Sequence, residues 1–311
     1  MTRTTGSPES AELTAGPHTE QATARSIDVD GVLVHYHEAG SGPPLICLNA
    51  WGEGMSAWFT YHRNLEELAN HYRVLLVDPI HSGRSLTPAD IDGSPELNRA
   101  TICRYLAGFM DALGIEKTAM IGTSTGGTTA LLFSLTYPDR VTKLVLSGCG
   151  ISNGDNALLF NPVFYDDSGD IVVRQEGIKL GLAAITNPTD ENIARMLKEG
   201  LVFRSDRIEE THINHLIGVS NDPVLRSDRE RTWTAFAAAS YGHSSTLAQL
   251  PKFAIPTLFF HGRYDIVVSP EVALTAVSLI PDCRVVLLRC GNLVPFEEPQ
   301  DFNRITLGFL Q

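Results

Sequence analysis

Apolar positions recur along most of the chain in two alternating patterns. Short apolar runs of strand type fall at residues 26–30, 32–38, 44–49, 73–78, 118–121, 141–147, 257–260 and 284–288. Between them lie stretches with apolar residues at helical spacing, at 64–69, 97–113, 126–135, 270–279 and 299–310. In the second of these, Ile102, Leu106, Phe109, Met110 and Leu113 mark one face. Gly40-Ser41-Gly42-Pro43 is turn chemistry ahead of the third strand. Strands alternating with helices predict a mostly parallel sheet covered on both faces.

The alternation stops at about Gly150 and resumes after Ala248. Residues 190–199 and 229–239 in that interval have helical patterns, so 150–248 is expected to be a helical cap inserted into a core formed by 26–149 and 249–311. Residues 1–25 are rich in Thr, Ser, Glu, Ala and Gly without an apolar leader core, and are expected to be a disordered tail. With 311 residues, 43% of them hydrophobic, the chain can bury a large core. A formal charge of −12 argues against nucleic-acid and anionic-membrane partners. Five scattered cysteines without metal-ligand spacing point to a reducing, cytoplasmic setting and to no metal. The oligomeric state stays open, a homodimer included.

Chemistry concentrates at three places. Gly122-Thr123-Ser124-Thr125-Gly126 follows one strand and opens a helix. Small residues on both sides permit the sharp turn that lifts a nucleophilic hydroxyl above a sheet edge. The Thr125 N–H, at the helix start, can donate to an oxyanion, with Ala50 or Trp51 N–H as second donor. Asp265 stands after the next-to-last strand, where a carboxylate can orient a catalytic base. The base should follow the last strand, yet Gly291 is followed there by Asn292. An amide accepts and donates hydrogen bonds but takes no proton near neutral pH. In a serine protease, losing the histidine alone costs ~10⁶ in turnover. Of the other histidines, His81 reads as loop structure, His261 as a structural contact, and His212 and His215 as solvated; His243 has no assigned place.

On these residues the chain resembles the α/β-hydrolase superfamily over nearly all of 26–311, and within it the meta-cleavage-product hydrolases, which cut carbon–carbon bonds in ring-fission dienones. Gly52, Gly54, Trp58, Arg63 and Asn64 stand at that family's distances, and Phe203 and Ile208 at its cap positions. The resemblance implies an α/β-hydrolase fold without cofactor. It puts Asn49, Trp58, Thr123 and Leu293 at the substrate pocket. The departures fall on the chemistry: Asn49-Ala50 replaces His-Gly, Thr123 an Asn, Asn292 the catalytic His and Leu293 a Trp. The substrate-gripping cap arginine aligns near Leu216. Three readings follow. One is a serine hydrolase of a small ester, lactone or carbon–carbon substrate, with Asn292 in the base's place. Another is a non-hydrolytic lyase, cyclase or isomerase, and the third a ligand-binding pseudoenzyme.

Overall fold

The computed structural model describes residues 13–15, 17–89, 91, 99–151, 163–165, 171–173, 176–240 and 247–311. Its frame is an eight-stranded sheet. The strands in chain order are β1 (Ala24–Val29), β2 (Val32–Ala39), β3 (Pro44–Leu48), β4 (Arg73–Val77), β5 (Thr118–Thr123), β6 (Val141–Ser147), β7 (Thr257–Gly262) and β8 (Cys283–Leu288). They lie side by side in the order β8-β7-β6-β5-β3-β4-β2-β1. All pairs from β8 to β4 are parallel, and β2 alone is reversed, antiparallel to both its neighbours β4 and β1. This is the α/β-hydrolase architecture.

Burial follows from the alternation of side chains across each strand. Ile46, Leu48, Leu75, Val77, Met120, Leu144 and Phe259 face one layer of helices. Leu45, Cys47, Val74, Leu76, Ile121, Val145 and Phe260 face the other. The first face is covered by α2 (Arg99–Ala112), α3 (Thr125–Thr136) and α8 (Glu271–Leu279). The second is covered by α1 (Ala57–Ala69) and α9 (Pro299–Leu310). Helix α1 is twice as long as its apolar spacing predicts. Ser56 caps it, accepting from Phe59 N at 3.1 Å, and its first turns carry aromatic residues that read locally as strand. The strand order reverses around β3, which lies between β5 and β4. In open α/β sheets that is where a crevice opens at the carboxyl ends.

Between β6 and β7 the described residues include α4 (Glu176–Thr186), α5 (Asp190–Arg195), α6 (Glu210–Ser220), the 18-residue α7 (Pro223–Ser240), and a strand pair, Val163–Tyr165 with Ile171–Val173. Of the tail expected over 1–25, residues 1–12 and 16 lie outside the described residues, and the rest are ordered. Thr14–Ala15 pairs with His18–Thr19, Glu20–Thr23 forms a helical turn, and Leu13 is buried in the core. Thr23 Oγ1 meets His37 Nδ1 at 3.0 Å, so a buried polar pair anchors a segment of unremarkable composition.

Histidines form a second unexpected group. His212 and His215 of α6 are buried, not solvated. His212 stands edge-on to Phe59 and Phe296, and His215 stacks on Phe59 with centroids 5.9 Å apart. His62 joins them at 5.7 Å from His212. Burial lowers His37 and His62 to about 3, and His81, His212 and His215 to about 4. Their folded values lie below the unfolded one, so their contribution is complete above about pH 6.5 and is lost as pH falls toward 4. Each can cost up to ~1.4 kcal/mol per pH unit across that window. The melting temperature should therefore fall steeply between pH 6.5 and 4.5. His62→Phe should make the slope shallower whatever it does at neutral pH. A flat profile for the unaltered chain would count against buried neutral imidazoles.

Candidate active site

Ser124 stands between the end of β5 and the start of α3 with φ 53° and ψ −120°, a region that side-chain-bearing residues rarely adopt. Close packing enforces it. A Cβ on Gly122 would lie 2.5 Å from the Gly126 carbonyl, and one on Gly126 would lie 2.4 Å from the Leu48 carbonyl. The helix start is thus pressed against the ends of β3 and β5. Ser124 N donates to the Ser147 carbonyl at 2.8 Å, tying the turn to β6. The Thr125 N–H opens α3 and belongs to the helix's unpaired N-terminal donors, a setting that favours a developing anion.

Asp265 follows β7 and Asn292 follows β8, both fully buried. Asp265 Oδ1 accepts from the Val267 and Val268 N–H groups at 2.8 and 2.9 Å, so the carboxylate also shapes its own turn. Its Oδ2 accepts from Asn292 Nδ2 at 2.8 Å, and the same Nδ2 donates to the Gly148 carbonyl, also at 2.8 Å. Two acceptors facing one nitrogen fix the amide orientation, because a flip would set oxygen against oxygen. Asn292 Oδ1 is left buried and without a hydrogen-bond partner. Gly148, with φ +52°, makes room: a Cβ there would lie 2.6 Å from the Asn292 carbonyl oxygen. The chain Ser124–Ser147–Gly148–Asn292–Asp265 therefore joins the three expected residues through the carboxyl end of β6.

The other expected positions divide. Asn49 Nδ2 donates to the Ala50 carbonyl at 2.9 Å and to Ser82 Oγ at 2.6 Å, spanning the loops after β3 and β4. Ala50 N–H makes a long 3.4 Å contact to Thr60 Oγ1, which a stronger acceptor could replace. Trp51 lines a cleft together with Glu53, His81, Ser82, Ile185 and Arg229. Three other residues expected at the pocket are buried. Trp58 lies between His37 and His62. Thr123 Oγ1 is 2.8 Å from the Tyr61 hydroxyl beneath the elbow. Leu293 packs into the core with Phe296. Leu216 is buried as well, with its backbone against Gly54.

The histidines beside this edge are engaged elsewhere. His81 Nδ1 meets Thr232 Oγ1 at 2.7 Å, and burial keeps that ring neutral. His261 Nε2 faces the Val268 carbonyl at 3.0 Å and Asp265 Oδ2 at 3.2 Å, behind the carboxylate. His243 lies outside the described residues. Sequence reasoning placed Phe203 at a cap position but missed Gly148, Tyr61, Leu201 and Arg204. Among these only Gly148, in a Ser-Gly-Cys-Gly run after a strand, leaves a local signal.

A family model described as the alpha/beta hydrolase fold matches residues 43–167. The chain is 34% identical over 304 residues to a 2-hydroxy-6-oxononadienedioate/2-hydroxy-6-oxononatrienedioate hydrolase of Burkholderia vietnamiensis, covering 94% of this chain and 98% of that one. It is 30% identical to a 2-hydroxy-6-oxo-6-phenylhexa-2,4-dienoate hydrolase of Comamonas testosteroni, covering 96% and 99%. Among solved structures it is similar to a meta-cleavage product hydrolase from Pseudomonas fluorescens IP01, with TM-score 0.77 at 24% identity, covering 93% and 97%.

The strain at Ser124 has a measurable consequence. Glycine tolerates the observed φ, whereas alanine does not. Ser124→Gly should be about 1 kcal/mol more stable than Ser124→Ala in urea unfolding, after allowing for glycine's larger unfolded-state entropy. Equal stabilities would show that the elbow stores no strain.

Proposed function

The chain belongs to the α/β-hydrolase superfamily, among the meta-cleavage-product hydrolases, and from that premise we propose that it acts on a small organic substrate at Ser124 with Asn292 in the base's place. The substrate carries an electrophilic carbonyl, as in a ketone beside a scissile carbon–carbon bond, an ester or a lactone. It lies between the sheet edge and the 150–248 insertion, which serves as the cap. The relatives' names, 6-oxo dienoates with a distal carboxylate or phenyl group, support the ketone form. Free, mostly buried cysteines support a reducing, cytoplasmic setting.

The observation that carries this reading is the 2.8 Å hydrogen bond from Asn292 Nδ2 to Asp265 Oδ2. It reproduces what an imidazole N–H does for a catalytic carboxylate, and it stops there. The opposite end of the group is an amide oxygen, which accepts a hydrogen bond but not a proton. The Ser124 hydroxyl can donate to an acceptor of that kind and be held toward the carbonyl carbon. Thr125 N–H, with a donor from Ala50 or Trp51, can polarise the carbonyl oxygen. When Ser124 adds to the carbonyl, its proton has no acceptor between it and Asp265. Binding and polarisation are retained while general-base catalysis is lost.

The same geometry favours a second reading. A site that polarises a carbonyl yet cannot activate water suits a non-hydrolytic rearrangement or elimination. Product analysis with a 6-oxo dienoate separates the two, since hydrolysis adds one water and yields two carboxylic acids, whereas rearrangement yields an isomer of equal mass.

Asn292→His should raise hydrolysis of a chromogenic ester by several powers of ten, below the ~10⁶ that serine-protease histidine removal costs. Burst kinetics on both forms, with Ser124→Ala as control, is the measurement. Fast, Ser124-dependent hydrolysis by the unaltered chain would overturn the proposal, and so would an inert but folded histidine variant.

A further inference from the structure

The insertion meets the loops that carry Asp265 and Asn292 at one stretch, residues 201–204. The Leu201 carbonyl accepts from Asn292 N at 2.9 Å and from Leu293 N at 3.4 Å. The buried Glu297 carboxyl accepts from Gly291 N at 2.6 Å through Oε1. Through Oε2 it accepts from Phe203 N at 3.0 Å and Arg204 N at 2.8 Å. The Phe203 ring lies on that of Tyr264, with centroids 3.9 Å apart and planes 8° from parallel. Tyr264 precedes Asp265 and donates its N–H to the Cys290 carbonyl at 3.0 Å. Fit is tight throughout, since a Cβ on Gly291 would lie 2.7 Å from the Leu201 carbonyl. The neighbours of both Asp265 and Asn292 are thus fastened to the same four residues of the cap.

We propose that Glu297 is a positioning residue for Asn292: one carboxyl oxygen holds the Asn292 loop and the other holds the cap, so that seating of the cap and registration of the Asn292 amide on Asp265 are one event. This rests on the reading of Asp265 and Asn292 as the catalytic pair. Glu297 does not touch the reacting atoms and acts only through that loop.

A carboxylate suits the place because three N–H donors converge on its two oxygens, leaving no room for a donor of its own. The charged and titratable groups around it are Glu298, the Cys290 thiol, and Arg204 and Arg207 of the cap. Arg207 donates to the Glu297 backbone carbonyl and pairs with Glu298 at 3.2 Å. Burial pushes Glu297 up to about 7; the three N–H groups pull it down, and the charge on Glu298 adds to the rise. Above that value both oxygens are free to accept. Below it the added proton occupies one of them and competes with a backbone donor. The fastener is therefore firm on the alkaline side of neutrality and loosens on the acid side.

The test needs no turnover, so it stands or falls separately from the ester assay on Asn292→His. In ¹H–¹⁵N spectra of the unaltered full chain from pH 5.5 to 8.5, the backbone N–H signals of Gly291, Phe203 and Arg204 should titrate together. The Asn292 side-chain amide signal should move with them, at one midpoint near 7. Glu297→Gln should abolish that midpoint in all four signals. Glu297→Asp, which keeps the charge but cannot span, should retain it on one side of the pair and lose it on the other. If the backbone signals titrate and the Asn292 amide does not, Glu297 is a structural contact and the proposal fails. It also fails if the midpoint survives in Glu297→Gln. Should that variant not fold, the titration of the unaltered chain decides alone.

Discussion

A carboxylate beyond the reach of water organises this molecule's working edge. Asp265 is fully buried, and a buried charge left unpaired costs several kcal/mol. It is satisfied by two N–H groups of its own turn, by the Asn292 amide, and by a contact to His261. The loop after β8 therefore cannot move without exposing that charge to an unfavourable surrounding. An amide meets this requirement as well as an imidazole does, since each presents one N–H to the oxygen. The scaffold can thus keep its fold and its pocket while the proton chemistry changes, because the demand made by Asp265 is for a donor and not for a base.

The junction between sheet domain and insertion follows a similar rule. Neutral imidazoles lie among Phe59 and Phe296, and backbone N–H groups converge on a single carboxyl. Arg207 pairs with Glu298 at 3.2 Å. Arg63 lies over the Phe296 ring at 4.1 Å and donates to the Phe296 and Arg207 carbonyls. Asn64 ties α1 to the C-terminal helix through Pro295 and Asn303. The two neighbouring side chains therefore serve the junction of α1 with distant segments.

The sheet was legible because each strand is short, apolar and bounded by turn residues, and because parallel strands buried on both faces leave continuous runs. Ser124 was legible because its turn demands glycine at fixed offsets. Asn292 was legible as a position rather than as a chemistry: it follows the last strand and a glycine. What could not be read depends on contacts made far along the chain. Glu297 finds Phe203 and Arg204, 94 and 93 residues upstream, and no local pattern announces them. His212 and His215 lie on a helix with acidic neighbours and looked solvated; their burial is decided by Phe59 and Phe296. Trp58, Thr123 and Leu293 were placed at the pocket from the family resemblance, and their burial follows from contacts with His37, Tyr61 and Phe296. Residues 13–15 and 17–23 have the composition of a tail, and they are docked by Leu13, by the Thr23–His37 contact and by Glu20, which pairs with Arg84 and faces His215.

The orphaned oxygen of Asn292 bears on heredity as much as on chemistry. Asparagine and histidine codons differ only in their first base, so a single transversion exchanges them. The buried amide already meets the carboxylate as an imidazole N–H would, and no rearrangement of the loop is demanded in advance. One base change would therefore set an imidazole, a group that takes protons, beside Asp265.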